Sequence, residues 1–206
     1  MRVRLGAAIS AMLVLLAGLN PVRAALPDVP FVMTAFAVNM TNVNVPRGNA
    51  GVMQLRITGW SPDGTRQRLI QTVVDKGQDA LLREMQKEPS RGRMSFPNWQ
   101  GDDPQNFRLG WDLRYTAREP LPEGGDRIVI ATDRVMSFWE VRNRPRTYDY
   151  PFTLIEIHIP KEGKGEGRAF GATQIKFDKK RNQMVLEQYS AGEIRLNEIT
   201  VQKTNR

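Results

Sequence analysis

The chain contains no cysteine. That absence excludes disulfides, lipid attachment through an N-terminal cysteine, cysteine nucleophiles and thiolate metal sites. Histidine is nearly as scarce. With His158 alone, a histidine-rich metal centre cannot be assembled, and a Ser-His-Asp triad would have one imidazole to build on. Long apolar runs are also missing. The longest, Leu5 to Leu19, has about 15 residues, short of the roughly 20 that a membrane-spanning helix requires.

That short run is nonetheless informative, because a basic start (Met1-Arg2-Val3-Arg4) precedes it and small residues, Ala24 and Ala25, follow it. This is the pattern of a secretory signal peptide over residues 1–24, the alternative being an N-terminal anchor that is not cleaved. Cleavage after Ala24 leaves residues 25–206. Cleavage after Ala25 would place Arg23 where a small residue is wanted. The expected address is periplasmic or extracellular, with no transmembrane segment in the mature chain. The formal charge of +8 falls on losing Arg2, Arg4 and Arg23. What remains suits solubility, or attraction to anionic lipids, glycans or acidic proteins. A domain without disulfides must be held by its own core, and this length suffices for one.

Most of the remainder reads as strand. Phe31 to Met40 is apolar on both faces, as in a covered central strand, and Val52 to Trp60 alternates Met53, Leu55 and Ile57 with polar residues. Phe107, Leu109, Trp111, Leu113, Tyr115 and Ala117 share one face of a single strand, lining either a packed core or a cavity. Ile128 to Thr132 and Phe152 to Ile159 are β-branched runs, and Lys161 to Gly167 is a Gly-rich hairpin connection. The last strand changes apolar phase between Leu196 and Ile199, which predicts a bulge at Asn197-Glu198. One helical region interrupts. Ser61-Pro62 offers a cap, Leu69, Ile70, Val73 and Val74 share a face, Gly77 stops the helix, and Ala80, Leu81, Leu82 and Met85 mark a second. Residues 90–106 read as a polar loop. The expected fold is mainly β (α+β), one domain over 25–206: an antiparallel barrel or sandwich of about eight strands with a short helical hairpin after the second.

The candidate site lies between two strands. Trp139, Tyr148 and Tyr150 interleave there with Arg142, Arg144 and Arg146, and Pro145 and Pro151 keep the segment extended. Guanidinium forks grip carboxylates, phosphates or sulfates, and the rings offer stacking faces for sugars. The competing reading is structural, with rings on the sheet rim and arginines paired with Glu140, Asp149 or Asp102-Asp103. Nucleic acid uses the same residue types but is not expected at an exported address.

The sequence points to no catalytic residue, metal site or cofactor. His158 alternates with Ile155, Ile157 and Ile159, beside Glu156 on the polar face of its strand. Asp112, Asp133, Glu140, Asp149 and Glu156 are the acids available for glycoside cleavage, but most have an arginine nearby in sequence, which favours plain ion pairs. Gly165 to Gly171 has three glycines but lacks the strand-to-helix setting of a phosphate loop.

The stretch from Met136 to Ile157, with Gly110 to Tyr115 and Gly124 to Arg134 upstream, resembles a group of uncharacterised secreted bacterial proteins. The resemblance implies export from a bacterium and attaches no activity. The functional expectation is an exported, non-catalytic binding or interaction protein. Its ligand would be an apolar or anionic small molecule or an envelope glycan. The alternative is a carboxylate-dependent hydrolase acting on envelope glycans. Expressed in a bacterium with its leader, the protein should be recovered outside the cytoplasm with Ala25 as its first residue. N-terminal sequencing checks this, and a product still starting at Met1 would leave the anchor reading.

Overall fold

The computed structural model describes residues 26–40, 50–97, 110–136, 149–162, 164–188 and 193–204. Among these residues ten strands and two helices follow one another in the order β1 (Phe31–Asn39), β2 (Ala50–Ile57), α1 (Asp63–Lys76), α2 (Gln78–Lys87), β3 (Gly92–Ser95), β4 (Gly110–Asp112), β5 (Tyr115–Pro120), β6 (Asp126–Thr132), β7 (Phe152–Ile159), β8 (Gly165–Asp178), β9 (Gln183–Gln188) and β10 (Ile194–Lys203). All ladders are antiparallel, in the order β4-β3-β2-β1-β10-β8-β7-β6-β5, with β9 paired to β8 off that path. The fold is therefore mainly β with a helical hairpin after the second strand, as the sequence pattern predicts.

The sheet curls on itself, because its two edge strands are consecutive in the chain. Only Leu113 and Arg114 separate β4 from β5. Leu113 still belongs to one edge: its N–H donates to Gly92 O at 3.0 Å and its carbonyl accepts from Arg91 N at 2.8 Å. Arg114 N already donates to Ala131 O, on the other edge, at 3.0 Å. The expected single strand thus changes partners midway, and its side-chain phase flips there. Trp111 and Leu113 point into the core, whereas Tyr115 joins the helix-facing cluster. The common face expected for all six positions is corrected accordingly. Phe107 and Leu109 lie outside the described residues.

Two clusters divide the apolar residues. The concave side of the sheet is filled by Phe31, Met33, Met53, Leu55, Ile57, Met94, Leu113, Ile128, Ile130, Ile155 and Ile157, all essentially inaccessible to solvent. Met136 adds to this core from the segment after β6, where Met136 N donates to Gly171 O at 2.7 Å and Val135 O accepts from Trp111 Nε1 at 2.8 Å. The second cluster lies under the helices, where Leu69, Val73, Leu81 and Met85 cover Ala131, Phe152, Tyr115 and Leu154. The helices therefore cover β5 to β8 and not β1. Although β1 is central in strand order, its Phe36 is 47% exposed.

Local chemistry explains the remaining departures. Ser61 does not cap α1, whose N-cap is Pro62 with no side-chain hydrogen bond. Ser61 instead ties the helix entrance to β5, its N–H donating to Thr116 O at 2.9 Å and its hydroxyl accepting from Thr116 N at 3.1 Å. The expected loop from residue 90 contains β3, whose one apolar anchor, Met94, is too little to show a period. Gly92 is required there, because at φ 152° a Cβ would sit 2.0 Å from Arg56 O. The Gly-rich connection is shorter than expected, since Gly165 and Gly167 already belong to β8, where a Cβ on Gly167 would meet Glu156 O at 2.4 Å. The bulge at Asn197-Glu198 is present, with Glu198 at φ 54° and the ladder shifting between Leu196 and Ile199. No helix among the described residues is long and apolar enough to cross a membrane.

One charged pair sits inside this frame. Asp126 is 0% exposed and accepts from Arg118 Nε and Nη2 at 2.7 and 2.8 Å. Removing the carboxylate strands the largely buried Arg118 guanidinium, 17% exposed, which costs about 3 kcal/mol. Asp126→Ala should therefore lower unfolding stability by that amount in urea titrations. Asp126→Leu combined with Arg118→Met should recover most of it. A double variant as unstable as the single one would show that the pair does more than neutralise itself.

Candidate functional site

Alternation places Glu119, Arg127, Glu156, His158, Glu166, Arg168 and Arg195 on the convex face of the sheet, opposite the core side chains of the same strands. Register sets neighbours: Glu119 faces Arg127, Arg127 faces His158, His158 faces Glu166, Glu156 faces Arg168, and Arg168 faces Arg195. The outcome is a cross-strand ladder of charges. Arg127 Nη1 donates to Glu119 Oε2 at 3.0 Å and its Nε to Glu156 Oε1 at 2.6 Å. Arg66 of α1 also reaches Glu119, at 2.9 Å, so the helical hairpin is tied to the same ladder.

Glu156 is its centre. Partial burial pushes this carboxyl upward, but hydrogen bonds from Arg127 and His158, with their charges, outweigh burial and hold it below the ordinary value of 4.5. Reciprocally, the hydrogen bond to Glu156 holds the Arg127 guanidinium above its ordinary range. His158 Nε2 lies 3.2 Å from Glu156 Oε1, on the polar face where alternation places it.

Beside this ladder an open groove of roughly 370 Å³ crosses β7, β8 and β10, lined by Glu156, His158, Glu166, Arg168, Arg195 and Asn197 among others. Its charges are unevenly satisfied. Arg195 Nε donates to Glu193 Oε1 at 3.1 Å, and Arg168 Nη2 approaches Glu156 Oε2 only at 3.6 Å. Glu166 has no ion pair among the described residues. Two like charges, Arg168 and Arg195, stand directly opposite each other, an arrangement that is unfavourable unless something negative lies between them.

The sequence-predicted site is only partly visible. Trp139, Arg142, Arg144, Arg146 and Tyr148 lie outside the described residues. Tyr150 is half-buried just before β7, and the neighbouring Asp149 carbonyl accepts from Gln78 Nε2 of α2 at 3.2 Å. The groove was missed because its residues come from three strands whose pairing had to be known. The available signal was the polar alternation of Glu156 with His158 and Glu166 with Arg168.

The acids considered for hydrolysis are distributed as follows. Asp112 and Asp133 converge on one guanidinium, Arg114, at 3.6 and 3.3 Å. The cation stands between them, where a hydrolase would hold its substrate. Glu156 belongs to the charge ladder, Asp149 is exposed beside α2, and Glu140 lies outside the described residues. Among the described residues no group of three or more acidic, histidine or cysteine side chains is placed to hold a metal ion. Comparison with protein-family models, curated proteins and solved structures finds no match to this chain.

A carboxyl held low in the fold stabilises it above its unfolded-state value and loses that contribution as pH falls through its folded value. Glu156 should therefore support stability at neutral pH and cease to do so as pH is lowered from about 4.5. Glu156→Gln should cost about 1 kcal/mol at pH 7. The same substitution should cost progressively less on acidification, measured as urea unfolding against pH. An equal loss at neutral and acidic pH would show that the ion pairs are not its source.

Proposed function

We propose that the protein is an exported, non-catalytic binding protein whose ligand is a small anion carrying further hydrogen-bond donors, taken on the convex face of the sheet. The observation that carries this reading is the facing pair Arg168 and Arg195 in the groove. A carboxylate, sulfate or phosphate lying across two guanidiniums relieves their repulsion and gains charge-assisted hydrogen bonds. The carboxylate of Glu166, with Asn197 beside it across the β8–β10 ladder, accepts from hydroxyl or ammonium groups on the rest of the ligand. Acidic sugars of envelope glycans combine those features. The filled concave side supports a surface site over an internal one. The depressed Glu156 supports binding over acid catalysis, since a general acid must hold its proton near neutral pH.

D-glucuronate tests the reading against D-glucose, followed by NMR shifts of the mature protein. Glucuronate should perturb β7, β8 and β10 resonances in a salt-sensitive way, and glucose should not. Arg168→Ala should weaken glucuronate binding about tenfold, the loss of one charge-assisted contact. Equal responses to the two sugars, or an Arg168→Ala variant that binds glucuronate unchanged, would overturn the proposal.

A further inference from the structure

The two ends of β8 have different surroundings. Residues Gly165 to Ala169 lie between β7 and β10, as interior strand. Beyond Thr173 the ladder to β7 has ended and, among the described residues, the only partner strand is β9, so Gln174–Asp178 and β9 form a two-stranded arm. One margin of the arm meets the helices: Gln78 Oε1 of α2 accepts from Ile175 N at 2.9 Å, and Ile175 packs against the cluster beneath them. The other margin is β9 itself. Among the described residues it pairs with nothing except β8.

This margin carries few of the devices that keep strand edges apart. β9 reads Gln-Met-Val-Leu-Glu-Gln, without proline, lysine or a bulge, and its one charge, Glu187, is already paired with Lys176 at 3.1 Å. Two large apolar side chains stand out from it, Met184 at 37% and Leu186 at 54% exposure. They share a face with Phe177 and Ile175, their cross-strand partners.

We infer that β9 is a self-association edge, and that its occupant is β9 of a second copy of this chain, paired antiparallel about a two-fold axis through Val185. The sequence of the strand selects both occupant and register. An antiparallel register keeps apolar side chains on a common face only if residues of equal parity oppose one another. With the axis at Val185, Met184 faces Leu186 of the second copy, Leu186 faces its Met184, and Gln183 faces its Glu187. Each apolar residue finds an apolar partner, and each acid finds an amide donor. Shifting the axis to Leu186 would set Met184 against Gln188 and Val185 against Glu187, losing both matches. Such pairing is isologous and closes at two copies. Of the other sheet margins, β4 runs on through Leu113 and Arg114 into β5, where the backbone of Thr116 is bonded to Ser61.

The cysteine-free chain offers a direct test. Val185→Cys places one thiol on the axis, within disulfide reach of its copy whichever ladder position Val185 occupies. Under mild oxidation the variant should form a covalent dimer. Its rate should exceed that of Lys203→Cys, an exposed position on β10, by about tenfold or more, because association raises the effective thiol concentration. Gln183→Cys alone should not be accelerated, and the double variant Gln183→Cys/Glu187→Cys should be. Without any cysteine, sedimentation of residues 25–206 should shift from monomer to dimer with concentration, and Leu186→Lys should abolish the shift while leaving the thermal transition in place. A monomer at every concentration overturns the inference, as does Val185→Cys cross-linking no faster than Lys203→Cys. Assemblies larger than two would overturn the two-fold register.

Discussion

Everything in this fold depends on one strand belonging to two edges. A curled antiparallel sheet must pair its margins or expose them, and exposure of backbone donors and acceptors invites association. Here the chain from Gly110 to Pro120 is the solution, bonding to β3 until Leu113 and to β6 from Arg114 onward. Arg114 sits at the exchange point and fastens what surrounds it. Its Nη1 donates to the Glu88 carbonyl behind α2 at 3.0 Å, and its other nitrogens lie near Asp112 and Asp133. Thr116 repeats the arrangement one step on, donating through Oγ1 to Gly59 O at 2.8 Å. These contacts join the ends of β2, β3, β5 and α2, so the helical hairpin and the sheet closure form one structural unit.

That coupling explains what could and could not be seen in the sequence. Strands whose partners do not change declared themselves: β2 alternates, β6 and β7 stand out as β-branched runs, and β10 revealed its bulge through the slip between Leu196 and Ile199. Periodicity reports a face, not the identity of what covers it. The strand that exchanges partners therefore misled, since a two-residue crossing at Leu113 and Arg114 turns Tyr115 outward without disturbing the letter pattern. Ser61 misled for a related reason. A hydroxyl before a helical proline is a sound cap candidate, but the backbone of β5 competes for it and wins. The groove was illegible because it is a product of register. Glu166 and Arg195 are separated by nearly thirty positions, and nothing local in either segment announces the other.

Filling the concave side of the sheet has a functional consequence. Small antiparallel barrels can use their interior to hold a ligand or to hold themselves together. In a cysteine-free chain the second use has first claim on apolar side chains, and Phe31, Met33, Met53, Met94 and Leu113 occupy that space. Recognition is then left to the convex face, where alternation gives the polar half of each strand. That face is not uniform. The helices claim one part, the Glu119–Arg127–Glu156 ladder neutralises another, and across β8 and β10 two arginines confront each other. Charge is tightly paired along the ladder, whereas in the groove the facing arginines have only a carboxylate each, Glu156 at 3.6 Å from Arg168 and Glu193 at 3.1 Å from Arg195.

The same division of labour runs along β8. Its first half is glycine-rich, and Gly165 and Gly167 let β7 approach so closely that a Cβ at either position would collide with its backbone. Its second half has no such glycines and diverges with β9 as an arm. A tight half bends the sheet into closure and a freer half leaves it, so one strand supplies both the floor of the groove and the base of the open edge. Glu166 and Arg168 lie on the first half, Phe177 and Ile175 on the second, with Thr173 buried between them. A ligand crossing Arg168 and Arg195 would therefore brace β8 against β10 close to where the arm departs. The groove and the β9 edge are separate surfaces that share one strand.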